Sequence, residues 1–225
     1  MKIVIDLGGS MIAPREGIDK ERILKYAEAF KEIYEMGHNL AIVVGGGKVA
    51  REYIEIAREL GSNNGYCDML GIMATRMNAM LLISALKELS IKKVPKSFEE
   101  AEEILSMNKI PVMGGTHPGH TTDAVSAGLA EYIDANLLII ATNVDGIYDK
   151  DPKKYKDAKK YDRIKIEELI NIINTQSLEA GSSSVVDLLA AKIIERAKLK
   201  AIVVKGEPEN ILKAVKGERI GTIIE

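Results

Sequence analysis

The chain of 225 residues has a single cysteine and no tryptophan. With Cys67 alone, neither an intrachain disulfide nor a multi-cysteine metal site can form. An excess of either charge is also missing: 31 Lys and Arg stand against 33 Asp and Glu, for a net charge of -2. That balance argues against a nucleic-acid or membrane-surface binder, which carries a basic excess or block. No uninterrupted apolar run approaches the roughly 18 residues of a membrane span. Asp6 follows directly on Met1-Lys2-Ile3-Val4-Ile5, where a secretory leader needs its apolar stretch. Internal repeats and low-complexity tracts are lacking as well. These absences lead to the expectation of a soluble, cytoplasmic protein without a nucleic-acid or membrane partner.

What is present is a high share of apolar residues, 46%, spread along the whole length. Such a chain can build a sizeable core and does not read as disordered. Short β-branched runs at residues 3–5, 40–44, 110–113, 137–141 and 201–204 are nearly continuously apolar, as parallel strands covered on both faces are. Between them lie segments of helical period at 19–36, 49–60, 67–89, 122–133 and 185–199, and another opening at Ser97 with a capping-box pattern. Asp19 suits an N-cap, and Gly37 and Gly61 suit helix stops. The alternation predicts an α/β fold, a mainly parallel open sheet with helices on both faces. Residues 149–163, rich in Lys and Asp around Pro152, read either as a solvated loop or as a linker between two lobes. Met69, Met73, Met77 and Met80 share one helix face, which favours core or subunit packing over a binding groove.

Three glycine-rich turns each follow a predicted strand: Gly8-Gly9-Ser10, Gly45-Gly46-Gly47-Lys48 and Gly114-Gly115-Thr116. The carboxyl ends of parallel strands share one edge of the sheet, and glycine there lets backbone amides approach an oxyanion. Three such turns along one edge point to phosphate, and to more of it than one mononucleotide carries. The P-loop signature is absent. Residues 45–50 fit the dinucleotide pattern, but Asp68, at the spacing of its acidic partner, falls on a predicted helix rather than at a strand end, so that reading fails.

The third turn continues through Thr116, His117, Pro118, Gly119, His120, Thr121, Thr122 and Asp123. This density of hydroxyls, imidazoles and glycine suits wrapping an anion. A metal site at His117 and His120 lacks a third ligand. The bland alternative is a structural loop capped by Thr121 or Thr122, with Asp123 as a favourable charge for the helix dipole. Residues 142–152, including Thr142, Asn143, Asp145, Gly146, Tyr148 and Asp151, lack the spacing and closing Glu of an EF-hand. They read either as an Asp-Gly turn and a Pro-ended loop, or as a nucleotide-edge site with Tyr148 as an apolar wall. Gly181-Ser182-Ser183-Ser184 reads as a helix cap ahead of a further anion contact. No nucleophile elbow occurs, and Cys67 beside Asp68 reads as inert.

Taken in order, Asp6-Leu7-Gly8-Gly9-Ser10, the turn at 45–51, the loop ending at Asp123, and Thr142-Asn143-Val144-Asp145-Gly146-Ile147-Tyr148 with Asp151-Pro152 resemble the archaeal type of uridylate kinase within the amino acid kinase superfamily. The resemblance spans nearly the whole chain, and the Thr-His-Pro-Gly-His loop is its most specific part. It implies a three-layer α/β/α sandwich as one domain, 1–225, with an acceptor-binding part near 1–135 and an ATP-binding part near 136–225. It further implies a homohexamer, and transfer of the ATP γ-phosphate to UMP in pyrimidine nucleotide biosynthesis, with magnesium carried by ATP. Carried over by position, Gly9, Ser10, Gly47 and Arg51 lie along the ATP phosphates. Thr142, Asn143, Tyr148 and Asp151 hold its nucleoside. Gly46, Asp68 and the loop from Thr116 to Thr122 hold UMP. Many superfamily members carry a lysine where Asp6 stands. Lys48 with Arg51 is the expected replacement for its charge, and Asp123 orients a cation or a donor. The competing expectations are a non-catalytic nucleotide-binding or storage module on the same fold, and a sister kinase with another acceptor.

Overall fold

The computed structural model describes residues 1–14, 17–150, 152, 154–176 and 185–225. Seven strands form one sheet in the order β3-β2-β1-β4-β6-β7-β5. At its centre, β1 (Lys2–Leu7) pairs in parallel with β2 (Asn39–Val44) on one side and β4 (Leu137–Thr142) on the other. Beyond these, β3 (Val112–Met113) pairs with β2, and β6 (Ala201–Lys205) pairs with β4, both again parallel. Among the described strands the one antiparallel pairing is β7 (Thr222–Ile224) against β6, and β5 (Arg163–Ile164) pairs parallel to β7 at the edge, so both run against the other five.

The period-two alternation of strand side chains splits the core into two layers. Ile3, Ile5, Leu7, Leu40, Ile42 and Val44 point into the layer shared with α1 (Lys20–Glu35), α3 (Asn64–Leu86) and α8 (Pro208–Val215). Val4, Ala41, Val43, Leu138 and Ile140 point into the other, which is closed by α4 (Phe98–Ser106), α5 (Thr122–Tyr132), α6 (Ile166–Gln176) and α7 (Leu188–Ala197). Asp6 shares the parity of Val4, so a carboxyl stands in the second apolar layer. Helix α1 forms as expected: the Asp19 side chain accepts from the Arg22 amide at 3.0 Å, and Ile23, Tyr26, Ala27, Phe30 and Ile33 are buried. Truncating the fully buried Phe30 to alanine removes about 3–5 kcal/mol of stability.

Several boundaries differ from the sequence reading. The capping box at Ser97 is half realised: the Glu100 amide bonds Ser97 Oγ, but the Glu100 carboxylate accepts from the Lys96 amide instead of closing back on Ser97. The helix expected over 185–199 starts at Leu188 and is capped by Asp187, which accepts from the Ala190 amide at 2.9 Å. The Gly181–Ser184 run proposed as its cap lies outside the described residues. Strands β5 and β7 and helices α6 and α8 were not anticipated.

Helix α3 is also more apolar than uninterrupted runs suggest, because Asp68 and Arg76 break up the apolar letters. With the 3-10 turn that follows, it spans Asn64–Leu89 and contains an 18-residue stretch of mean hydropathy 1.5, long and apolar enough to cross a membrane by length and composition alone. Ile72, Ala79, Leu82 and Leu86 sit in the core, whereas Met69, Met73, Met77 and Met80 are 42 to 60% exposed.

Candidate active site

From β1 the chain moves outward to β2 and β3, then returns to β4 on the other flank of β1. A crevice therefore opens between the carboxyl ends of β1 and β4, where open α/β sheets bind ligands. The cleft there is about 740 Å3, lined by Ser10 after β1, Lys48 and Arg51 of α2 (Gly47–Glu59), and Thr142 and Asn143 after β4. All five were read from the sequence. Five lining residues were not: Met11, Pro14, Arg22 of α1, Lys205 at the end of β6, and Glu207. Arg22 pairs with Glu207 at 3.1 Å. Four cations against one carboxylate make the cleft electropositive. A lysine ending an apolar parallel strand, just before Gly206, was the signal available for Lys205.

The first two glycine turns are packed on each other, so part of the glycine pattern serves the chain itself. A Cβ on Gly47, whose φ is +63°, would lie 2.5 Å from the Gly9 carbonyl oxygen and 2.6 Å from that of Ala13. From α3, buried Asn78 donates to the Gly45 and Gly46 carbonyls at 2.9 and 3.2 Å, fixing the second turn from below. The N-terminus of α2 carries no side-chain cap, which leaves amides for an anion. Lys48 lies one residue into that helix and pairs with Glu52 at 3.3 Å.

The third turn is tied to α3 instead. Gly115 donates its amide to Thr75 Oγ1 at 2.7 Å, and Arg76 donates to the carbonyls of Gly115 and Thr116 at 3.1 and 3.3 Å. Beyond it, His117, Pro118, Gly119 and His120 form an exposed tip with the two imidazoles edge-on, 6.3 Å apart. Gly119 has a φ of +81° with open space around it, and its amide donates to Asp68 Oδ2 at 2.9 Å. Asp68 thus meets the loop directly. Thr121, not Thr122, is the cap of α5: its hydroxyl accepts from the Ala124 amide at 3.1 Å and donates to Asp187.

After β4, Thr142 and Asn143 reach the cleft but Tyr148 is not among its lining residues; the Tyr148 hydroxyl donates to Asp145 at 2.8 Å. Asp151 lies outside the described residues. Gly146 packs against Thr222, whose hydroxyl accepts from the Ile147 amide at 2.8 Å, so the Asp-Gly turn has a packing role. Asp123, in the first turn of α5, faces buried Asp6. Burial, and then the Asp187 charge, push its pKa up to about 6.

A family model described as the amino acid kinase family matches residues 1–205. The chain belongs to the amino acid kinase family. Within it, a uridylate kinase of Methanocaldococcus jannaschii is 68% identical over 225 residues, all of both chains. The crystal structure of a uridylate kinase from Archaeoglobus fulgidus matches this amino acid kinase with a TM-score of 0.91 at 51% identity, over 100% of each chain. A UMP kinase structure from Ureaplasma parvum matches at 0.82 and 26%, over 100% of this chain and 98% of that one.

Proposed function

We infer that the chain transfers the γ-phosphoryl group of ATP to UMP, giving ADP and UDP. One observation carries this reading: an electropositive cleft and a separate loop of amide and hydroxyl donors lie along one sheet edge, so two phosphate-bearing ligands can be held facing each other. Its similarity to uridylate kinases over the full length supports the same acceptor.

In this account Gly9, Ser10, Gly47 and Arg51 lie along the ATP phosphates, joined by Lys205 and Arg22. Thr142, Asn143, Tyr148 and Asp151 hold the nucleoside. On the acceptor side, Gly46, Asp68 and the loop from Thr116 to Thr122 hold UMP, with Asp68 on the ribose and the loop on the phosphate. The UMP phosphate has a second pKa of about 6, so at neutral pH it is mostly dianionic and needs no general base. The residues hold two anions in line and offset their repulsion. Lys48 and Arg51 supply charge beside the transferring group, where Asp6 cannot.

Magnesium enters with ATP as part of the substrate and neutralises phosphate charge. Among the described residues no group of three or more His, Cys, Asp or Glu side chains could hold a metal. Ser10, Thr142 and Asn143 instead offer neutral oxygens, suited to an ion held mainly by phosphate and water.

The chain is read as a single domain whose residues near 1–135 bind the acceptor and whose residues near 136–225 bind much of ATP. It works in the cytoplasm, in pyrimidine nucleotide synthesis, as a homohexamer. The exposed methionine face of α3, beside exposed Tyr53, Ile56 and Leu60 of α2 and the turn after it, supports assembly of copies. Phosphorus NMR with ATP, magnesium and UMP tests the reaction: UDP and ADP appear together. Tight ATP binding without transfer to UMP, CMP or dUMP contradicts it.

A further inference from the structure

Asp6 is 2% exposed, and among the described residues neither of its carboxyl oxygens meets a hydrogen-bond donor. An ionised carboxylate in that position is costly, because nothing replaces the water it has lost. Its strand neighbours in register are Val43 on β2 and Ile140 on β4, both apolar. From α5 it faces the Asp123 carboxyl and the Ser126 hydroxyl, and from the N-cap of α7 it feels the charge of Asp187. The Ser126 hydroxyl, which lies 2.8 Å from the Asp123 main-chain carbonyl, also sits beside the Asp6 carboxyl but offers a single proton for both. The strongest influences on Asp6 are burial and the neighbouring Asp123, not a cation. Asp123 is only part-buried, and two carboxyl groups this close satisfy each other only when one carries a proton.

We propose that Asp6 is a positioning residue held as a neutral carboxylic acid, whose proton bridges to Asp123 and keeps the acceptor loop in register with the donor-side glycine turn. The connections run both ways from the pair. Gly8 begins the first glycine turn two residues after Asp6. Asp123 lies close to the Asp187 main chain, and Asp187 in turn accepts from the hydroxyl of Thr121, the residue between the loop tip and α5. Ionising Asp6 would set two negative charges against each other in the buried layer and press α5 away from β1, separating the two phosphate sites. Burial first, and then the Asp123 charge, hold the Asp6 carboxyl well above its usual range, in keeping with this state.

The inference rests on the UMP kinase reading for its kinetic arm only. Asp6→Asn keeps a neutral donor of nearly the same shape, whereas Asp6→Ala removes the bridge. Asparagine should hold kcat within about threefold of wild type, and alanine should lower kcat at least tenfold, roughly the loss of one well-placed bond, with KM changing less than kcat. The fall of kcat at high pH in the wild type should be absent from Asp6→Asn. Asp6 adds most stability below an unfolded pKa of about 4, and this is lost as pH rises through the higher folded value. Asp6→Asn should therefore gain in unfolding temperature relative to wild type as pH rises.

Infrared difference spectra of wild type against Asp6→Asn should show a protonated-carboxyl carbonyl band at neutral pH, and a pH titration of wild type alone supplies the same readout if the variants do not fold. Three results would overturn the proposal: no such band, a folded Asp6→Asn as impaired as Asp6→Ala, or an Asp6→Ala as active as wild type. If wild type forms no UDP, the reaction reading fails instead, while the infrared and unfolding arms still decide the protonation of Asp6.

Discussion

The two sides of the crevice are built by opposite means. On the side proposed for ATP, Lys48, Arg51 and Lys205 reach into the cleft from mostly solvated positions. On the side proposed for UMP, the loop is fastened before any ligand arrives: Gly115 to Thr75, Thr116 to Arg76, Gly119 to Asp68, and Thr121 to Asp187. A polyphosphate can be gathered by mobile long cations, since charge acts at a distance and needs little exact geometry. A nucleoside monophosphate that must be told from its relatives calls for fixed donors, because discrimination comes from bonds left unmade by the wrong ligand. The difference teaches that charge recruits on one side while preorganisation selects on the other.

The largest effect comes where both sides share a support. Gly47→Ala forces a positive φ on a Cβ that also runs into Gly9 and Ala13, so both first turns shift. Activity should fall at least about a hundredfold, the scale of an ångström-sized misplacement. Differential scanning calorimetry should register a loss of about 1–3 kcal/mol. Next is Lys48→Ala, for which kcat should fall tenfold or more, as removal of a charge-stabilising donor does. A fall of less than about threefold would remove Lys48 from the transferring group.

Smaller, and confined to the acceptor side, is Thr75→Val. It keeps the shape but leaves the Gly115 amide without its acceptor, lowering stability by about 1–3 kcal/mol in urea unfolding. It should raise KM for UMP and leave KM for ATP alone. Smallest is Glu52→Gln, which breaks a surface pair with Lys48 on a side chain 55% exposed. Unfolding should change by less than about 1 kcal/mol.

The sheet was legible because its five main strands are continuous apolar runs, and the glycine turns mark their ends. The edge was not: β5 (Arg163–Ile164) and β7 (Thr222–Ile224) stand in no apolar run of four residues, unlike the equally short β3, which lies within 110–113. Helix α6 does carry its apolar stripe at Ile166, Leu169, Ile170 and Ile173, but it follows directly on the charged stretch that draws a loop reading. In the site, Ser10, Lys48, Thr142 and Asn143 were readable because they follow strands closely, whereas Arg51, inside α2, came only with the family resemblance. Arg22 was not, since it comes to the cleft from a neighbouring helix through Glu207, 185 residues away in sequence. Nor could the sequence tell that Gly9 and Gly47 are glycines partly for each other, a contact that exists only once β1 and β2 are side by side.

The division between the two sides is tested most directly by one steady-state grid, with ATP and UMP varied against each other for Asp68→Asn and Lys205→Ala. The account predicts a crossed pattern. Asp68→Asn raises KM for UMP by about tenfold and leaves KM for ATP near wild type, and Lys205→Ala does the reverse. If either substitution raises both constants together, the two sides are not separate sites and the account is wrong.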